Sequence, residues 1–227
     1  MKILLVGSLG KMGKEIAATV AETDDKIVLG IDTKNEKNGA FKTLSTLPKR
    51  LPPFDVIIDF STAKSRKELF DLAREKGAAY GLFSTNISID DEKELSQLAG
   101  FVPVLQTKNT SLGINLLYEI LKYISPKLKH SDVVLTEYHH KQKLDNPSGT
   151  AKEIENILKA EDIHFYSSSF RVGDEKGVHK IQFFFSDEIL EISHRANSRK
   201  IFADGAISAM HKLISKPAGL YNNILEL

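Results

Sequence analysis

Three glycines spaced three apart, Gly7, Gly10 and Gly13, follow directly on the apolar run Lys2–Val6 and open a stretch of helical periodicity. That order leaves the chain little choice. A short, branched run that is apolar from Ile3 to Val6 suits a strand buried on both faces. Lys11–Glu22 then sets Ile16, Val20 and nearby alanines on one helical face. A strand that enters a helix through a glycine turn is expected to be answered by a parallel strand. Strand-like runs follow at Lys26–Ile31, Asp55–Asp59, Ala78–Phe83 and Phe101–Leu105, with helical runs at Lys64–Lys76 and Asp90–Leu98. The polar span from Thr33 to Pro53 is expected to be loop or weak helix. This alternation predicts an α/β fold, a Rossmann-like parallel sheet with helices on both faces.

After residue 110 the pattern changes. Ser111 is placed to cap a long helix that carries Leu112, Leu116, Ile120 and Ile124 on one side. A strand at Asp132–Glu137 and a helix at Thr150–Leu158 come next. Three strand-like runs then succeed one another, His164–Val172, Val178–Phe185 and Ile189–Arg195, with Ser186-Asp187-Glu188 as the last turn. Strands without intervening helices imply a second, α+β domain with a mixed or antiparallel sheet. All seven histidines lie at residue 130 or later, which suggests a binding half and a chemistry half.

Composition removes several classes of function. A net charge of +1 with no basic run argues against nucleic acid. The absence of cysteine excludes disulfides, thiolate metal sites and cysteine nucleophiles. The apolar run Ile3–Val6 is too short for a targeting segment or a membrane span, so the expected location is cytoplasmic.

The glycine turn has a chemical reading. Glycines there let backbone approach a pyrophosphate, and the adjoining helix start offers free N–H groups. The spacing is G-x-x-G-x-x-G, since Leu9 stands where the commoner pattern has glycine, and a tight turn alone would also use it. Asp32 strengthens the nucleotide reading. It ends the second strand 19 residues beyond Gly13, where a carboxylate can accept both ribose hydroxyls. Asp32 would repel a 2′-phosphate and so favours NADH, while Lys11 and Lys34 nearby leave NADPH open.

The densest chemistry lies between Glu137 and Ala151 (E-Y-H-H-K-Q-K-L-D-N-P-S-G-T-A). Pro147 discourages helix at Asn146, Ser148 or Thr150 can cap a new helix, and Thr150 with Glu153 fits a capping box. A helix start beside His139, His140, Lys141 and Lys143 collects anions. A small dicarboxylate fits, with one carboxylate on the Gly149 and Thr150 N–H groups and the other near Lys143. His139 or His140 could deliver a proton. A solvated basic loop is the plain alternative. No metal is expected, because cysteine and H-x-x-x-H spacing are both missing.

This segment resembles the E-x-H-H-x-x-K-x-D-x-P-S-G-T-A signature of the 4-hydroxy-tetrahydrodipicolinate (dihydrodipicolinate) reductase family. Val6-Gly7 through Met12-Gly13, Val56–Ser61, Asn109–Asn115, Ser193–Arg199, Phe202–Ala206 and Gly219–Tyr221 resemble further family motifs in order. The resemblance implies NAD(P)H-dependent reduction of a cyclic dicarboxylate imine on the diaminopimelate route to lysine. It implies that His139 is the general acid, that Lys143 binds a substrate carboxylate, and that His140, Ser148, Gly149 and Thr150 complete that wall. Gly7, Lys11, Met12, Asp32, Ser84, Thr85 and Asn109 would hold NADH or NADPH. A dinucleotide domain of residues 1–109 and 203–227 would carry residues 110–202 as a substrate-binding and oligomerisation insertion, closing about hinges near 109 and 202, in a homotetramer built through the second sheet.

Two departures stand out. Phe83-Ser84-Thr85-Asn86 replaces the family's G-T-T-G, and Phe83 is expected to crowd the backbone near the nicotinamide. Lys141 and Gln142 stand where the family often has Arg and His. The residues leave two alternatives. A two-domain amino-acid dehydrogenase would share the nucleotide half without needing P-S-G-T after the histidines. A dinucleotide sensor without turnover would tolerate the changes at Phe83 and Asn86.

Overall fold

The computed structural model describes residues 1–38, 40–62, 66–84 and 87–227. From the start the chain builds β1 (Lys2–Val6), α1 (Lys11–Val20), β2 (Lys26–Ile31), β3 (Glu36–Asn38), β4 (Phe41–Leu44), β5 (Val56–Asp59), α2 (Lys67–Lys76), β6 (Ala79–Leu82), α3 (Ile89–Leu98) and β7 (Pro103–Gln106). It continues with α4 (Leu112–Ile124), β8 (Asp132–His139), α5 (Gly149–Ala160), β9 (Phe165–Arg171), β10 (Val178–Phe184) and β11 (Ile189–Arg195), and ends with α6 (Lys200–Leu213) and β12 (Gly219–Tyr221). Two compact units result, Met1–Ser111 with Lys200–Leu227, and Leu112–Arg199.

The first unit holds an eight-stranded sheet among the described residues, in the order β12-β7-β6-β5-β1-β2-β4-β3. Every neighbouring pair is parallel except β3 with β4. Both faces are covered, which is why the strands are continuously apolar. Ile3, Leu5, Val56 and Ile58 point to one face with Ile16 and Val20 of α1 and Ala203, Ala206, Ile207 and Met210 of α6. Leu4, Ile57, Tyr80 and Leu82 point to the other, against Leu69, Phe70, Leu95 and Leu98 of α2 and α3. The polar span after Asp32 is not the loop or weak helix its composition suggests, because it contributes β3 and β4 to the sheet edge. Phe41 and Thr43 are the buried anchors of β4.

The second unit is a four-stranded mixed sheet, β11-β10-β8-β9, in which only β8 and β9 run parallel. One face packs on α4 and α5 through Val133, Leu135, Ile181, Phe183, Leu117, Leu121, Ile154 and Leu158. The packed side of α4 is the Ile114–Leu117–Leu121 side; Leu112, Leu116 and Ile120, expected to mark its apolar stripe, are exposed. The helix is apolar nearly all round, so periodicity could not choose a face.

The chain leaves and re-enters the first unit at one spot. Thr110 Oγ1 donates to the Phe202 carbonyl at 2.6 Å, and a Cβ on Gly205 would overlap the Thr110 carbonyl oxygen. No helix among the described residues is long and apolar enough to cross a membrane.

One buried ionic cluster braces the first unit. Arg66 donates to Asp59 and Asp91 at 3.0 Å each and to the Ser61 carbonyl, while the Tyr80 hydroxyl donates to Asp59 at 2.9 Å. Removing the guanidinium strands two buried carboxylates. Arg66→Ala is expected to lower unfolding stability by about 3–5 kcal/mol and Tyr80→Phe by only about 1–2 kcal/mol, measured by urea denaturation.

Candidate active site

The carboxyl ends of the parallel strands gather Gly7 after β1, Asp32 after β2, Ser84 after β6 and Asn109 after β7. β1 lies between β2 and β5, the point where the strand order reverses and where sheets of this kind bind ligands. Gly7 has φ +79°, and a Cβ there would press on the Phe60–Ser61 backbone; a Cβ on Gly13 would overlap the backbone of Gly7 and Ser8. The start of α1 has Gly10 at its N-cap, no side-chain cap and no acidic residue in its first turn. By contrast α3 begins with a Ser88 cap and three acids. An uncapped helix start with no acid in its first turn, beside a glycine turn, fits a pyrophosphate. Asp32 is held at the end of β2, with Oδ2 accepting from Leu9 N–H at 2.8 Å and Oδ1 from Thr33 N–H at 2.7 Å. Buried Ser8 shares a 3.0 Å hydrogen bond with Thr43, so the unexpected β4 fixes the turn. Lys11 is exposed and Met12 half-buried at the same helix start. Thr85 and Asn86 lie outside the described residues.

In the second unit, alternation and register assemble a polar group on the helix-facing side of one end of the sheet. Glu137 and His139 follow Val133 and Leu135 on β8, His179 pairs with Glu137 across β10, His194 pairs with His179 across β11, and Arg171 pairs with His139 across β9. Glu137 is fully buried. Its Oε1 accepts from Ser148 N–H at 2.9 Å and from Arg171 Nη2 at 3.1 Å. Its Oε2 lies 3.2 Å from His139 Nδ1 and 3.5 Å from His179 Nε2, close approaches without the alignment of linear hydrogen bonds. Burial opposes the charge on Glu137, but His139, His179 and Ser148 outweigh it and hold the carboxyl far below its ordinary range. Burial pushes His179 down against the pull of Glu137, and burial with the neighbouring His179 charge pushes His194 down.

Ser148 is the N-cap of α5, its hydroxyl accepting from Ala151 N–H at 3.1 Å and meeting His179 Nε2 at 3.1 Å. Its amide and hydroxyl are therefore engaged inside the protein, which makes Ser148 a support for the helix start and leaves Gly149 and Thr150 as the outer residues. The Thr150–Glu153 capping box gives way to this Ser148 cap. Lys143 Nζ meets Asp145 Oδ1 at 2.8 Å. Burial raises the Asp145 carboxyl, yet Lys143 and the amides of Asp145 and Gly149 outweigh it and hold the pKa low. Asp145 thus ties Lys143 to the first residue of α5. His140 is half-buried just beyond the strand end.

Four placements differ from expectation. The ring of Phe83 turns into the core, 5.0 Å from that of Phe60 and over Gly81, where a Cβ would collide with it. It does not crowd the sheet end as its sequence position suggests. His211 belongs to α6 of the first unit, 2.9 Å from Asp25, so the histidines are not confined to one half. Of the residues that carry the polar group, Glu137 heads the fifteen-residue signature without a role read for it, and His179 and Arg171 have no local signature; His179 lies two residues after Gly177 on an alternating strand, which is the available signal. Glu137, His139 and His179 also offer ligand atoms all within 4.8 Å of one another, an arrangement across strands that linear metal-motif spacing cannot reveal.

A sheet end shaped for a dinucleotide in one unit, and a buried carboxylate–histidine group beside a helix start in the other, fit a pyridine-nucleotide-dependent oxidoreductase. Residues 1–110 match the family model described as dihydrodipicolinate reductase, N-terminus, and residues 113–225 that of its C-terminus. The 4-hydroxy-tetrahydrodipicolinate reductase of Clostridium tetani is 34% identical over 242 residues, covering 98% of this chain and 95% of its own. That of Thermosipho africanus is 35% identical over 222 residues, covering 97% and 95%. The dipicolinate-bound dihydrodipicolinate reductase from Paenisporosarcina sp. TG-14 shares the fold, with a TM-score of 0.82 at 18% identity over 100% of this chain and 99% of that one. This chain belongs to the dihydrodipicolinate reductase family.

Gly177 leaves room beside Nε2 of His139. Its φ is +153°, and a Cβ there would stand 3.0 Å from His139 Nε2. Gly177→Ala is expected to cost about 1–3 kcal/mol of stability and to displace the ring, seen as lower turnover at temperatures where circular dichroism still reports a folded chain.

Proposed function

We propose that this protein reduces 4-hydroxy-tetrahydrodipicolinate (dihydrodipicolinate) to tetrahydrodipicolinate in the diaminopimelate route of lysine biosynthesis. The observation that carries the reading is the convergence of His139, Lys143 and the start of α5 on one end of the second sheet. A reduced pyridine nucleotide, held by Gly7, Lys11, Met12, Asp32, Ser84, Thr85 and Asn109, supplies the hydride. The 4-hydroxyl leaves as water, and His139 holds a proton at Nε2 and gives it to the ring carbon next to the one that takes the hydride. Lys143 and the amides of Gly149 and Thr150, with His140, bind the carboxylates; a substrate carboxylate takes the place of Asp145 against Lys143. Residues 1–109 and 203–227 form the dinucleotide domain and 110–202 the substrate-binding and oligomerisation domain.

Separate observations support the finer parts of the reading. Asp32 at the end of β2 favours NADH over NADPH, because its charge repels a 2′-phosphate. The outer face of the second sheet exposes Tyr166, Phe170 and Ile189, with Phe170 stacked on Tyr138 at 5.1 Å, a surface that suits a homotetramer built on that sheet. The reading assigns the enzyme to the cytoplasm, beside a pyridine-nucleotide pool it can draw on.

The direct test is oxidation of NADH in an assay where dihydrodipicolinate synthase makes the substrate from pyruvate and aspartate semialdehyde. Synthase-dependent oxidation is expected; tight NADH binding without turnover would point to the sensor alternative. His139→Ala is expected to lower kcat by about 10²–10⁴-fold with little change in KM, and Lys143→Ala to raise KM as well as lower kcat. Asp32→Ala is expected to weaken NADH binding by about tenfold or more while sparing NADPH, read by fluorescence titration. Equal losses for both nucleotides would contradict the ribose role.

A further inference from the structure

Glu137 has contacts that the roles above do not use. Its carboxylate has no exposed surface, yet it meets His139 and Ser148 as well as Arg171 and His179. The two ends of the proposed chemistry, the proton donor and the anion-collecting helix start, are therefore held by the two oxygens of one side chain. We propose that Glu137 is a positioning residue that acts through His139, keeping the proton of its neutral ring on Nδ1 and directing Nε2 to the substrate. This inference rests on the reading of His139 as the acid, and deepens it.

An imidazole has two distinct nitrogens, and the partner of one decides the role of the other. Nδ1 of His139 faces Oε2 of Glu137 at 3.2 Å. An ionised carboxylate only accepts, so the nitrogen beside it carries the proton in the neutral ring. Nε2, at the opposite side, faces the space that Gly177 leaves open. When Nε2 is also protonated, the added charge sits beside the same carboxylate. The approach is bent in this structure, as hydrogen bonds of proton donors often are before substrate tightens them.

The other charged groups around the ring make Glu137 decisive. Arg171 on β9, His179 on β10 with His194 behind it on β11, and Lys143 from the loop are cationic or can become so. Asp145 is spent on Lys143. Glu137 is the carboxylate in direct contact with the ring, and Arg171 and Ser148 N–H keep it ionised and unable to turn away.

Histidine ¹⁵N chemical shifts of the full-length protein test this without substrate. His139 is assigned by the resonances lost in His139→Gln. In the native chain the neutral ring is expected to be protonated at Nδ1, and in Glu137→Gln, whose amide can donate, that preference is expected to disappear or reverse. A native ring protonated at Nε2, or the same tautomer in both proteins, would overturn the proposal. In the coupled assay Glu137→Gln is expected to lose about 10- to 100-fold in kcat with KM changed by less than about threefold. The basic limb of its pH profile should move down by about one unit or more, because the charge that favours the protonated ring is gone. Glu137→Asp, which keeps the charge, should restore the limb. An unmoved limb in a folded Glu137→Gln would reduce Glu137 to a packing role. Should Glu137→Gln fail to fold, the native tautomer alone decides. A native protein with the expected tautomer but no turnover would overturn the reaction and leave the positioning geometry intact.

Discussion

A carboxylate cannot be buried alone, and Glu137 meets that constraint by drawing groups from three strands and a helix start to one point. Ser148 N–H, Arg171, His139 and His179 are each fixed by a different piece of backbone, so the charge at the centre sets the relative positions of all four. The register of the second sheet obeys the same logic. A slip of one residue between β8 and β10 would turn Glu137 and His179 to opposite faces and leave an unpaired charge in an apolar layer. The polar group and the core of that unit are therefore one structure.

Much of the fold was legible because it rests on short-range pattern. Strands buried on both faces are continuously apolar, glycines at a spacing of three mark the turn, and Ser148 announces its helix by capping it. The illegible parts depend on partners distant in the chain. The strand Phe41–Leu44 has only Phe41 and Thr43 to anchor it, and its neighbour Glu36–Asn38 is polar throughout, so neither resembles a strand until the sheet edge supplies hydrogen bonds. The long helix Leu112–Ile124 is apolar on nearly every side, and only the position of the sheet decides which side is packed.

The candidate site divides the same way. His139, Lys143 and the residues around Gly149 are local in sequence, and their local order was enough to mark them. Glu137 stands at the head of that segment and opens its signature, but nothing local gives it a role. His179 and Arg171 reach it from strands that begin 41 and 28 residues further on. The substitution at Phe83 carries a related lesson. A bulky residue at a sheet end reads as an obstruction, but Gly81 two residues earlier lies on the same face and has no side chain to oppose it. The pair exchanges volume within one strand and leaves the backbone where it was.

The hydrogen bond from Thr110 to the Phe202 carbonyl, with Gly205 closing on the same peptide, has an evolutionary side. It makes the outgoing and incoming chain a single short junction, so everything between Leu112 and Arg199 is, to the parallel sheet, one long excursion whose ends already meet. The entropy of closing such an excursion grows only slowly with its length. The parallel sheet can therefore tolerate insertions, deletions or wholesale exchange in the excursion with little change in its own stability. A nucleotide-binding framework joined in this way is a socket, and chemistry can diversify in the part plugged into it while the framework stays the same.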